Sequence, residues 1–198
     1  MNHRLIAILI VFLVLPTLGQ AADKSATADV SERATLLKTL SRGVTVTSNK
    51  QKYQILPEVR AAESLSQEQP QQTLTRHGGS KLIETKGAFV VFTAAPQSIA
   101  SVKSVNGATS YPTVINQRTR GIGILPGTLS VKLKNMDSAV AVANDHGLEV
   151  VRVFAHLQAA FYRVKPDQDV VAAAASLNAD PRVVSAEVEV IEHMAVAQ

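Results

Sequence analysis

The stretch TLSVKLKNMDSAVAVANDHGLEVVRVFAHLQAAFYRVKPDQDVVAAAASLNADPRVVSAEVEVIEHMAVAQ (residues 128–198) decides the fold. It opens with Leu129, Val131 and Leu133 alternating with Lys132 and Lys134, the pattern of a half-buried strand. Asp137 is placed to cap a helix with Val140 and Ala143 on its apolar side, and His146-Gly147 ends that helix. Strands are expected over 148–154 and 159–164. Asp167 or Asp169 opens a second helix, in which Val170, Ala174 and Leu177 recur on one side, and Asn178 and Pro181 stop it. In the closing strand Val184, Ala186, Val188 and Val190 are expected on one face, with Ser185, Glu187, Glu189 and Ile191 on the other. The order is strand, helix, strand, strand, helix, strand, then a tail. With right-handed connections this is an α+β ferredoxin-like βαββαβ sandwich, its two helices on one sheet face and the other face open. A unit of about seventy residues with so small an aliphatic core is marginal by itself.

Working outward, residues 22–127 read as a small, mainly-β N-terminal domain of uncertain topology. Ser31 is placed to cap a short helix carrying Leu36, Leu37 and Leu40 and stopping at Gly43. Residues 44–47 and 52–55 flank a hairpin turn at Ser48-Asn49, 57–66 suggest a weak helix, and QEQPQQ (67–72) reads as a loop. Lys86-Gly87 and Asn106-Gly107 mark two further hairpin turns between apolar strands.

Ahead of these lies a secretory signal, residues 1–21. His3 and Arg4 precede a nearly unbroken apolar run from Leu5 to Leu18, and Gly19-Gln20-Ala21 supplies small residues for cleavage. The run is shorter than the roughly 20 residues that span a bilayer. No cysteine follows it to take a lipid, so no stable membrane anchor is expected after cleavage. The mature chain is expected to be periplasmic or secreted. It has no cysteine and no tryptophan, so its core is aliphatic and unstapled, and thiol chemistry and cysteine-based metal sites are excluded. Residues 22–127 carry 13 basic against 7 acidic side chains, and residues 128–198 carry 6 against 9. The basic residues are scattered, as on a solvated surface, and the acids of the C-terminal part fall at ordered positions.

Those positions carry a resemblance. Asp180-Pro-Arg-Val-Val-Ser-Ala-Glu-Val-Glu resembles the closing strand of subtilisin-type protease propeptides, with an Asp-Pro turn leading into a strand that ends in an apolar residue and spaced acids. Gly147-Leu-Glu-Val-Val-Arg-Val-Phe and Ala159-Ala-Phe-Tyr-Arg-Val are similar to the strands upstream. The resemblance covers residues 128–198. It implies a sheet that packs on two parallel helices of a subtilisin-like serine protease, in a 1:1 complex. Glu187 and Glu189 would cap those helices, and the tail His193, Met194, Ala195, Val196, Ala197 and Gln198 would lie in the substrate cleft. The residue before the scissile position is Ala195 by alignment, or Gln198 if the chain end itself sits there. No protease domain is expected after Gln198, and an additional N-terminal domain is expected before residue 128. Both features resemble the separately encoded external chaperones of secreted subtilisin-like proteases, which implies an intermolecular chaperone and inhibitor.

Other classes fit less well. Arg76-His-Gly-Gly-Ser resembles a lipase oxyanion loop, but no G-x-S-x-G elbow accompanies it. The histidines are dispersed, without metal-ligand spacing. No enzyme activity, catalytic residue, metal or cofactor is expected. An RNA-binding module of the same fold would need a paired aromatic platform that is missing, so no nucleic acid partner is expected. Phe161 fits the core or an interface equally. The alternative function is a periplasmic ferredoxin-like ligand sensor or adaptor with no protease partner.

Overall fold

The computed structural model describes residues 22–65, 68–105 and 107–192. Two units divide at Thr39/Leu40. In the first, helix α1 spans Ala22–Thr39. It starts well before the expected cap at Ser31, because residues 22–30 hold several alanines and neither glycine nor proline to interrupt a helix. Ser31 instead sits inside it, its carbonyl accepting from Thr35 Oγ1 at 3.0 Å.

In the second unit, residues 45–124 build a seven-stranded antiparallel sheet and one short helix. The strands are β1 (Thr45–Ser48), β2 (Gln51–Glu63), β3 (Lys81–Lys86), β4 (Phe89–Thr93), β5 (Lys103–Val105), β6 (Ala108–Asn116) and β7 (Ile122–Ile124). The main order is β3-β4-β2-β6-β5, with β1 also paired to β2 and β7 to β6. The first hairpin turns one residue later than expected. Ser48 pairs with Gln51, and Asn49 and Lys50 both take positive φ, the two-residue turn whose twist matches that of the strands.

Two sequence expectations fail here. Residues 57–63 are strand, not helix, because β2 is central and pairs with β4 on one side and β6 on the other. Val59, Ala61 and Ala62 are fully buried there. Pro57 falls where the β2–β6 register jumps between Leu56 and Arg60, a bulge that requires no ladder donor from proline. Of the expected loop over 67–72, residues 70–72 belong instead to helix α2 (Pro70–Arg76), with Pro70 in its first turn and the Gln72 side chain accepting from Gln69 N–H at 3.3 Å, while 68 and 69 are irregular and 67 lies outside the described residues.

Residues 128–188 form a four-stranded antiparallel sheet, with two helices packed on one side. Its strands are β8 (Thr128–Leu133), β9 (Glu149–Phe154), β10 (Ala159–Arg163) and β11 (Val183–Val188), in the order β11-β8-β10-β9. The helices are α3 (Ala139–Asp145) and α4 (Val170–Asn178). Asp169 caps α4, its Oδ1 accepting from the N–H groups of Val171 and Ala172 at 2.8 and 3.2 Å. Asn178 ends α4 and stitches it to β11, donating to Ala174 O and Ala186 O and accepting from Ala186 N.

The cap expected at Asp137 is made by Asn135, whose side chain accepts from Asp137 N at 3.0 Å and starts a short 3-10 turn, Met136–Ser138. That turn rotates α3, so Ala139, Val142 and Ala143 are buried and Val140 is exposed. In β11 the register slips between Val183 and Ser185. Val184 therefore bulges into solvent, and the buried set is Val183, Ala186 and Val188. The helices and the inner sheet face share one aliphatic core, which also takes in Val46, Tyr53, Ile55 and Val114 from the seven-stranded sheet.

Candidate functional site

The two faces of the four-stranded sheet differ sharply. Leu129, Val131, Leu133, Ala160, Tyr162, Ala186 and Val188 on the helix side are buried. On the opposite face the cross-strand rows are Ser185–Lys132–Ala159–Phe154, Glu187–Ser130–Phe161–Arg152 and Thr128–Arg163–Glu149. Every one of these residues is half-buried or exposed. Phe161 thus lies on the open face, next to the fully buried Tyr162. It meets Phe154 edge-on, with centroids 5.7 Å apart, and the Arg152 guanidinium lies 5.6 Å from the Phe154 ring centre. The face offers an aromatic pair on its β10–β9 side among polar and charged residues, a composition that suits a protein-binding surface.

Glu187 lies on β11 and Glu189 just beyond it, and their surroundings differ. Glu187 Oε2 accepts from the Asn49 backbone N–H at 2.9 Å, so this carboxylate already caps the chain's own β1–β2 turn. The Glu189 backbone donates to Thr128 O, while its half-buried carboxyl makes no hydrogen bond or ion pair among the described residues. Burial pushes that carboxyl's pKa up. A raised carboxyl pKa means that the folded state favours the neutral acid. Its stabilising share is full below the ordinary carboxylate pKa and is lost as pH rises through the folded value. Glu189→Gln is therefore expected to raise Tm at neutral pH by about 1–2 °C, a small gain because the group is only half-buried, and to leave Tm unchanged in acid. Thermal melts at the two pH values check this, and an equal gain at both would contradict it.

After β11 the chain leaves the four-stranded sheet and joins the other one. Ile191 pairs with Ile124 of β7 in an antiparallel bridge, with N–H to O distances of 2.9 and 3.0 Å. Glu192 follows. Its Oε2 accepts from Tyr53 Oη and Asn116 Nδ2, each at 2.9 Å, and its Oε1 from Thr119 Oγ1 at 2.7 Å. Lys86 Nζ donates to the Glu192 carbonyl at 3.0 Å and also to the Ile122 carbonyl. Burial, followed by the bond to Glu192, raises the Tyr53 hydroxyl's pKa. Sequence reasoning missed Glu192. Its side-chain partners lie more than seventy positions upstream, and no local pattern joins them. The expected cleft residues His193, Met194, Ala195, Val196, Ala197 and Gln198 lie outside the described residues.

The Asp180-Pro-Arg turn serves as a structural clamp. Asp180 accepts from Arg182 Nη2 at 2.6 Å and contacts His146 Nε2 at 3.0 Å, and Arg182 Nη1 reaches Asp145 at 2.8 Å. The Arg182 guanidinium, its backbone N–H and His146 together hold the Asp180 carboxyl far below the usual carboxylate range. The ends of α3 and α4 are thereby tied to the start of the last strand. Among the described residues no cluster of three His, Asp or Glu side chains is arranged to hold a metal, and no helix is long and apolar enough to cross a membrane.

Fold and site define an α+β protein of two antiparallel sheets, one of which has a face that no helix covers and that carries an aromatic pair. The chain belongs to the open reading frame 2 N-terminal domain family, whose model matches residues 26–196. Among solved structures it is similar to a chain in the crystal structure of the Aeromonas sobria serine protease (ASP) and chaperone (ORF2) complex. The two are 25% identical, the likeness covers 50% of this chain and all of that one, and the TM-score is 0.37. No curated protein matches.

Proposed function

We propose that this protein is a secreted or periplasmic intermolecular chaperone and inhibitor of a subtilisin-like serine protease, and not itself an enzyme. In this reading residues 1–21 are a cleaved signal, 22–127 an N-terminal extension, and 128–198 a ferredoxin-like, propeptide-like domain with a C-terminal tail. The single observation that carries the reading is the contrast between the sheet faces: one is sealed by α3 and α4, and the other leaves Phe154 and Phe161 half-buried and Arg152 exposed on its β10–β9 side, across the sheet from the acid-bearing β11. The order β11-β8-β10-β9 and the Asp180-Pro-Arg turn support the likeness to protease propeptides. The chaperone in the Aeromonas sobria complex is paired there with a serine protease.

The open face would receive two protease helices, with the half-buried Glu189 carboxylate meeting a helix N-terminus. Because the chain would bind the native-like enzyme better than the unfolded one, it would shift the population toward native. The tail would enter the substrate cleft as an added strand. Nanomolar binding requires about 12 kcal/mol. Two helix caps supply only a small part of that, and burial of the aromatic face must provide most of the rest.

The test is to mix the mature protein with subtilisin-like proteases and measure inhibition, together with recovery of activity from denatured enzyme. Inhibition and assisted refolding are expected. Small-molecule binding with no effect on any such protease would instead favour a ligand sensor or adaptor. In the same assay Glu189→Ala is expected to weaken binding by about 0.5–2 kcal/mol. Glu187→Ala should cost less, because Glu187 is already engaged by Asn49. An unchanged affinity for the double substitution would reduce both acids to surface charges.

A further inference from the structure

The seven-stranded sheet lies outside residues 128–198, the part that resembles a protease propeptide, yet it holds the segment that leads out of the four-stranded sheet. Ile191 exchanges two backbone hydrogen bonds with Ile124, one carboxylate at Glu192 takes three side-chain donors, and Lys86 binds the Glu192 carbonyl. The site is also cut to shape for this segment. A Cβ on Gly121 would lie 2.6 Å from Glu192 Oε1, and one on Gly123 would lie 2.4 Å from Val190 Cγ1. A side chain at Gly123 would force Val190 to shift, whereas one at Gly121 would first meet the flexible end of Glu192 and displace its carboxylate. Asn116 is itself braced, its Oδ1 accepting from the N–H groups of Arg118 and Thr119, which orients its amide nitrogen toward Glu192.

We infer that the seven-stranded sheet is the holder of the tail's root, with Glu192 as the positioning residue that fixes where the chain beyond it departs; this rests on the proposed placement of the tail in a protease cleft. A segment fixed in this way loses less conformational freedom on entering a cleft than one swinging from the end of β11, so the sheet strengthens inhibition without touching the enzyme's catalytic groups.

Two measurements test the inference. The first needs no protease. Amide hydrogen exchange on the mature chain should show the Ile191 N–H protected, and Glu192→Ala should speed its exchange by about tenfold or more while the Val131 and Ala186 amides are unaffected. A freely exchanging Ile191 in the unmodified chain would overturn the clamp. The second is a double-mutant cycle in the inhibition assay. Glu192→Ala should raise the inhibition constant by about tenfold. Glu192→Gln, which keeps the carbonyl acceptor, should fall between Glu192→Ala and the unmodified chain. In a chain lacking residues 193–198, Glu192→Ala should change nothing further. Equal inhibition by Glu192→Ala and the unmodified chain, or a penalty that persists without the tail, would overturn the positioning role while leaving the proposed function intact. Failure of the unmodified chain to inhibit would count against the proposed function itself.

Discussion

Removal of Ala195 to Gln198 is expected to weaken inhibition of a subtilisin-like protease by about a hundredfold or more. A tail lying in the cleft as an added strand forms on the order of three main-chain hydrogen bonds with the enzyme, each about 1 kcal/mol net, besides its pocket contacts. Loss of these bonds alone accounts for roughly two orders of magnitude. The fold should be unaffected, because the deleted residues follow the segment already anchored by Ile191 and Glu192. The shortened chain should therefore melt within about 1 °C of the intact one. It should also still help denatured protease to refold, since the sheet face is untouched. Progress curves of inhibition and a refolding assay on the same preparation separate the two activities. Undiminished inhibition by the shortened chain would refute the cleft role.

The largest stability effect is expected at Tyr162. It is fully buried at the centre of the four-stranded sheet, opposite Leu129 on one side, and its hydroxyl donates to the Ala139 carbonyl at 2.7 Å. One side chain thereby joins β10 to the start of α3. Tyr162→Ala leaves a large cavity and should cost about 3–5 kcal/mol. For a fold whose total stability is of the order of 5–15 kcal/mol, that is a large fraction. Tyr162→Phe keeps the ring and removes one bond to a carbonyl that the α3 ladder still engages, for about 0.5–1.5 kcal/mol. Urea denaturation of both variants checks the ordering, and a loss below about 1.5 kcal/mol for Tyr162→Ala would contradict this account of the core. Burial pushes the Tyr162 phenol up to about 12. The neutral phenol is the form that the core accepts, so this stabilisation is complete below the ordinary phenol pKa and is lost as pH rises toward about 12.

Much of the C-terminal sheet is legible in the sequence, because local signals there agree with the tertiary outcome. Alternation at Leu129, Val131 and Leu133 gives a buried strand face, and all three residues are fully buried. Val170, Ala174 and Leu177 give the inner side of α4, with Asp169 at its cap and Gly147 in the left-handed conformation that ends α3. The errors fall where one residue of slippage matters. The bulge at Val184 turns an expected core valine into solvent, and the 3-10 turn at Met136–Ser138 rotates Val140 outward. Neither event leaves a local signature stronger than the periodicity it breaks. In the N-terminal part, Pro57 and the alanines after it suggest helix, and pairing of β2 on both edges overrides that propensity.

The candidate site divides in the same way. The acids at Glu187 and Glu189 stand out in sequence through their alternation, but only the fold distinguishes them. It gives Glu187 the Asn49 amide and leaves the half-buried Glu189 carboxyl without a hydrogen-bond partner among the described residues. By itself the sequence determined the elements of the C-terminal sheet, because strand and helix periodicities are set by neighbours two to four residues apart. The tertiary structure alone decided that the chain beyond β11 is carried onto the other sheet and held there through Glu192. That anchorage joins side chains from four separate stretches, and contacts between distant stretches are fixed by how sheets pack rather than by any local pattern.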